Sequence, residues 1–141
     1  NIRVPLGTRF VDIVQFCGGY KEQPRKMLMG GPMMGIAIYD DTYPLLKNNN
    51  ALLCFGEKET KAIPSSACIR CGRCVRACPF SLMPAAIDRA YQAKDVEKLK
   101  ALCVGRCMEC GCCAYVCPAK RNLVLTNRLA KQLLRNSAPK K

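Results

Sequence analysis

The rhythm of apolar and polar positions changes partway along this 141-residue chain. Up to residue 61 the apolar stretches are short and broken. Ile2-Arg3-Val4 alternates as a strand does, Gly18-Gly19 and Gly30-Gly31-Pro32 are turn signals, and Lys47-Asn48-Asn49-Asn50 reads as a loop. One helix is predicted from Phe10 to Phe16, where Phe10, Ile13 and Val14 share a face and Gly18-Gly19 supply a C-terminal cap. This region reads as a small α+β unit of short strands and turns. At about 60 residues it buries little surface by itself, so it is expected to pack on another part of the protein.

Beyond a boundary near residues 62–66 the spacing becomes helical. Pro84 suits a helix N-terminus, with Ile87, Ala90 and Tyr91 following at core spacing. Asp95 is placed to cap a second helix carrying Val96 and Leu99. A last helix, from about Leu123 to Leu134, sets Leu125, Leu129 and Leu133 on one stripe expected to pack over the rest of this region.

Chemistry enters with the cysteines, twelve in all. Eight fall into one spacing written twice, Cys-x2-Cys-x2-Cys-x3-Cys-Pro, as Cys68, Cys71, Cys74, Cys78 and Pro79, and again as Cys107, Cys110, Cys113, Cys117 and Pro118. The copies are offset by 39 residues. Three thiols at intervals of three let one short loop wrap a cubane, and Gly72 and Gly111 sit at equivalent places where that loop must turn tightly. The run is the bacterial ferredoxin signature and predicts two [4Fe–4S] clusters. In two-cluster ferredoxins the fourth cysteine of each run serves the other cluster. Cluster I is therefore assigned to Cys68, Cys71, Cys74 and Cys117, and cluster II to Cys107, Cys110, Cys113 and Cys78. Zinc sites more often use separated CxxC pairs, and the chain has no histidine. Disulfides need an oxidising compartment and a different cysteine framework.

Cys17, Cys54, Cys103 and Cys112 lie outside this scheme and are expected to be buried structural thiols. Gly30-Gly31-Pro32-Met33-Met34-Gly35 is neither a Walker sequence nor GxGxxG, so it is read as a turn, with Met33 and Met34 as core filler. No nucleophile–base pair can be assembled, and no catalytic site is expected in these residues.

The formal charge is +13, from 23 basic and 10 acidic residues. Two oxidised clusters at about −2 each would bring it to roughly +9. No acidic residue follows Glu109, so Lys120, Arg121, Arg128, Lys131, Arg135, Lys140 and Lys141 make a uniformly basic end. Such an end suits an acidic redox partner, anionic lipid or nucleic acid, or is only a solvated face. Nucleic acid is least favoured, because no binding motif accompanies the charge. Arg70, Arg73 and Arg76 alternate with the first-run ligands, where they tune potential, guide a partner or are merely solvated. No apolar run reaches the roughly 20 residues that span a bilayer. The first residue is Asn, so a longer parent chain is expected.

Taken together, Val4-Pro5-Leu6-Gly7-Thr8, the Gly30–Gly35 segment, the two cysteine runs and Leu82-Met83-Pro84 resemble, in order, the C-terminal part of the C subunit of Rnf electron-transport complexes. The resemblance implies a partial β-grasp (SLBB-like) region over residues 1–63 and a helix-rich bacterial two-[4Fe–4S] ferredoxin-like domain over 64–141. It implies a peripheral subunit on the cytoplasmic side of a bacterial membrane. The complex would pass electrons between ferredoxin and NAD, coupled to sodium or proton movement, with other members of the complex as partners. FMN and NAD(H) are expected only in an N-terminal part absent from this chain. The same layout occurs in a cobalamin-reductase subunit and a proline-reductase-associated electron carrier. A redox-sensing or structural cluster protein that binds nucleic acid is the reading from a different class.

Overall fold

The computed structural model describes residues 1–61 and 63–137. The chain divides into two compact units, Asn1–Ala62 and Ile63–Lys141.

In the first unit, helix α1 spans Phe10–Phe16. Its end is closed by two reaching amides: Gly18 N–H donates to Gln15 O at 3.0 Å and Gly19 N–H to Val14 O at 2.9 Å. That pair satisfies carbonyls the last turn leaves open, as Gly18-Gly19 predicted. Strands β1 (Lys26–Met29), β2 (Ile36–Ile38) and β3 (Leu52–Phe55) form an antiparallel sheet in the order β2-β1-β3. Met27 stands opposite Ile38 on one side and Cys54 on the other. The Gly30–Gly35 segment is the β1–β2 connection. Gly35 N–H donates to Gly31 O at 2.7 Å, and a Cβ on Gly35 would stand 2.5 Å from that same oxygen. The glycine is required for close packing of backbone.

Three expectations for this unit need correction. Ile2-Arg3-Val4 is not a strand, and among the described residues no strand pairs with it. Met33 and Met34 are exposed, because a connection this tight turns its tip outward. Cys17 and Cys54 are also exposed. Apart from Phe10, Met27 and Leu28, little apolar surface here is fully buried.

The second unit is helical: α2 (Arg73–Arg76), α3 (Pro84–Gln92), α4 (Val96–Ala101), a 3-10 turn at Val104–Arg106, α5 (Cys112–Tyr115) and α6 (Leu123–Ser137). Pro84 is the first residue of α3, and Asp95 accepts from Lys98 N–H at 2.9 Å to cap α4. Leu82, Ile87, Ala90, Leu99, Val104 and Ala130 form one buried cluster beneath these helices. A smaller one joins Cys74, Cys113 and Leu123, with Ala85 and Cys117 against it.

The stripe foreseen on α6 faces the wrong way. Leu125 and Leu129 are exposed, while Leu123, Asn127 and Ala130 are buried. At roughly 100° per residue, Leu125 lies about 200° round from Leu123. Each step of four brings the stripe back by about 40°, so only Leu133 reaches the edge of the core. Cys103 is exposed and Cys112 half-buried, against the expectation of buried thiols. Both sit at the borders of short helical turns, and neither is among the residues packed in either core cluster.

Candidate metal centres

Each cysteine run folds the same way because the same residues demand it. Gly72 (φ 73°) and Gly111 (φ 82°) adopt the left-handed conformation just before α2 and α5. A side chain there would be strained, and the turn lets a loop ligand and a helix ligand face one centre. Cys74 and Cys113 then occupy the second position of their helices, both buried. Cys78 and Cys117 follow one turn on, closed by Cys78 N–H to Val75 O at 3.1 Å and Cys117 N–H to Ala114 O at 3.2 Å. Non-glycine residues with positive φ repeat at the same offset: Arg70 (57°) matches Glu109 (60°), and Ser81 (52°) matches Lys120 (51°). Left-handed non-glycine residues are thus held at matching places around the thiols of both runs.

The structure gathers the eight thiols into two groups of four. Cys68, Cys71, Cys74 and Cys117 line one cavity of about 330 Å³, together with Arg70, Arg89 and Arg121. Cys78, Cys107, Cys110 and Cys113 line a second, tighter one of about 20 Å³, together with Glu109 and Asn127. The donor chemistry suits iron–sulfur clusters: four sulfurs to each group and no imidazole in the chain. Among the described residues no three Cys, His, Asp or Glu side chains converge tightly enough to hold a single metal ion. Burial, followed by the neighbouring Cys107 and Cys110 thiols, pushes the Cys113 thiol up to about 12. Metal binding at this thiol must therefore release a proton.

The surrounding charges are fixed by internal partners. Arg121 donates through Nη2 and Nε to Asp88 Oδ2, at 2.5 and 3.1 Å, and its Nη1 reaches Ser66 O at 3.4 Å. Asp88 is buried, so this pair stitches the second cysteine run onto α3. Glu109 accepts from Lys131 Nζ at 2.6 Å and from Arg128 Nε at 2.9 Å, which holds its carboxyl below the usual range. Lys131 also donates to Cys107 O at 3.0 Å. Three cations of the basic end therefore serve internal bonds; Lys140 and Lys141 lie outside the described residues.

The sequence pattern alone did not single out Asp88 and Asn127. They are the two buried polar side chains among the described residues of this unit and stand at matching positions of the repeat. The signal was present, since each is a polar residue on a helix face otherwise lined by apolar neighbours. On α6 the competing Leu125 stripe concealed it.

Comparison with known proteins finds a different family along each part of the chain. The SLBB domain family matches residues 1–37, and the 4Fe-4S dicluster domain family matches 61–118. The C subunit of the Na(+)-translocating ferredoxin:NAD(+) oxidoreductase complex of Acetobacterium woodii is 40% identical over 132 residues, 94% of this chain and 30% of that protein. The C subunit of the ion-translocating oxidoreductase complex of Rhodobacter capsulatus is 41% identical over 97 residues, 69% of this chain and 19% of that protein. The C subunit of the proton-translocating ferredoxin:NAD(+) oxidoreductase complex of Clostridium ljungdahlii is 43% identical over 88 residues, 62% of this chain and 19% of that protein. The chain thus spans less than a third of the length of these relatives.

Proposed function

We propose, from the premise that this chain belongs with the C subunits of ion-translocating oxidoreductase complexes, that it is an electron relay built on two [4Fe–4S] clusters. The observation that carries the reading is the grouping of thiols into two sets of four, each drawing its fourth member from the other run. It supports the crossed assignment: Cys68, Cys71, Cys74 and Cys117 for cluster I, and Cys107, Cys110, Cys113 and Cys78 for cluster II. When bound, each cluster accepts and returns one electron without breaking a bond. The protein supplies the rest. Gly72 and Gly111 turn the ligand loops, and Leu123, packed with Cys74 and Cys113, shields the thiols between the two runs. Crossing the fourth ligand ties both loops into one body and holds the centres close enough for a short hop.

The finer architecture belongs to the same proposal. Residues 1–63 form a partial β-grasp region and 64–141 a bacterial ferredoxin-like domain. The parent protein docks on the cytoplasmic side of a cell membrane with other members of a redox complex, and ferredoxin or another acidic carrier is its electron partner. FMN and NAD(H) bind in a part of the parent protein outside this chain. No described helix is long and apolar enough to cross a membrane. The nucleic-acid reading loses support because Arg121, Arg128 and Lys131 are engaged within the fold.

The test is an anaerobic reductive titration of the cluster-loaded protein. Uptake of two electrons per chain, returned rapidly to an oxidised ferredoxin, is expected. A chain that takes up no electrons, or returns none to any protein acceptor, contradicts the relay.

A further inference from the structure

We propose that Asn127 is a positioning residue that tunes the reduction potential of cluster II, by donating its side-chain N–H to the Sγ of Cys107. The inference rests on the two-cluster reading above.

Asn127 is 1% exposed, set between Leu123 and Ala130 on the core face of α6. Burying a primary amide is costly unless both its ends are bonded. Here one end is. Nδ2 lies 3.5 Å from Cys107 Sγ, within reach of a large sulfur acceptor, whereas Oδ1 has no hydrogen-bond partner among the described residues. A ligating thiolate can only accept, so the nitrogen is the end that must face it. An amide kept merely for packing would be better replaced by leucine. An amide whose single bond goes to a cluster ligand acts on that ligand.

The two centres differ in this respect. Leu82 N–H donates to Cys78 Sγ and Glu109 N–H to Cys107 Sγ, both at 3.4 Å. With Asn127, three N–H groups point at the sulfurs assigned to cluster II. Among the described residues no such bond reaches Cys68, Cys71, Cys74 or Cys117. The position that matches Asn127 in the first copy is Asp88, an acceptor, and it is engaged by Arg121. The repeat therefore places a donor beside one set of sulfurs and a neutralised carboxylate in the matching slot.

The consequence follows from charge. Reduction puts one more electron on the cluster and its sulfurs. An N–H dipole aimed at a sulfur stabilises that reduced form, more strongly in a buried site than in water. Asn127 thus raises the midpoint of cluster II and leaves cluster I as it is.

The experiment is an EPR-monitored redox titration of the cluster-loaded wild type, Asn127→Leu and Asn127→Asp, each with its iron and sulfide measured. One of the two midpoints is expected to fall in Asn127→Leu, and in Asn127→Asp at a pH that ionises the new carboxyl, while the other stays in place. Unmoved midpoints at full iron content, or equal shifts in both clusters, overturn the inference alone. Wild-type protein lacking iron and sulfide after anaerobic loading overturns the two-cluster reading and this inference with it. Wild-type protein with 15N in its asparagine side chains provides a measurement that needs no variant to load. Pulsed EPR of the reduced protein should show a 15N coupling at one cluster, and its absence overturns the inference.

Discussion

Residues 68–92 and 107–131 trace the same backbone path twice. Each begins with a left-handed residue between the first two cysteines, turns at a glycine, enters a one-turn helix carrying the third cysteine, turns again at a left-handed residue and runs into a longer helix. The side chains hung on that path diverge. Arg70 stands where the second copy has Glu109, Leu82 where it has Arg121, and Asp88 where it has Asn127. Wrapping four sulfurs dictates backbone and glycine, so those repeat. The slots around the sulfurs carry no such demand and are free to make one centre unlike the other.

Replacing ligands breaks the pairing most severely. Cys117→Ala and Cys71→Ala should each cost about four irons and remove the same EPR signal, while Cys78→Ala and Cys110→Ala remove the other. If Cys117→Ala instead matched Cys110→Ala, the fourth ligands would not cross. Next comes the core beneath the copies. Ile87 is fully buried, and Ile87→Ala should lower unfolding stability by about 2–5 kcal/mol in a denaturant titration of the loaded protein. A smaller effect is expected at the slot that distinguishes the copies. Asp88→Ala leaves Arg121 without its buried partner. Arg121 is partly exposed and can turn to water, so about 2 kcal/mol is expected, read as an earlier thermal transition. A loss under about 0.5 kcal/mol would mean that the pair does not tie the second run to α3. Smallest of all is Cys103→Ala, which should leave iron content unchanged and stability within about 0.5 kcal/mol, because its side chain is exposed and packs against nothing in the core. Loss of a whole cluster's iron there would overturn the ligand set.

What was legible in the chain was whatever local chemistry dictates. The Phe10–Phe16 helix with its glycine end, Pro84 opening α3 and Asp95 capping α4 all depend on neighbours within a few residues. So do the cysteine spacing and the turn at Gly30–Gly35. What failed depends on tertiary contacts. Whether Leu125 or Leu123 faces inward is set by what α6 packs against, and a four-residue spacing alone does not choose. Ile2–Val4 alternates as a strand does but pairs with no strand among the described residues. The free thiols were expected to behave as small hydrophobes, yet Cys17, Cys54 and Cys103 lie at surfaces. Asp88 and Asn127 gain their meaning from the sulfurs and cations they meet across the repeat, which no local pattern announces.

Iron and acid-labile sulfide content, with EPR of the dithionite-reduced protein prepared anaerobically, tests the central claim most directly. The account predicts about eight irons and eight sulfides per chain and the spectrum of two interacting [4Fe–4S]⁺ centres. Zinc without sulfide, in protein that never met oxygen, would contradict it.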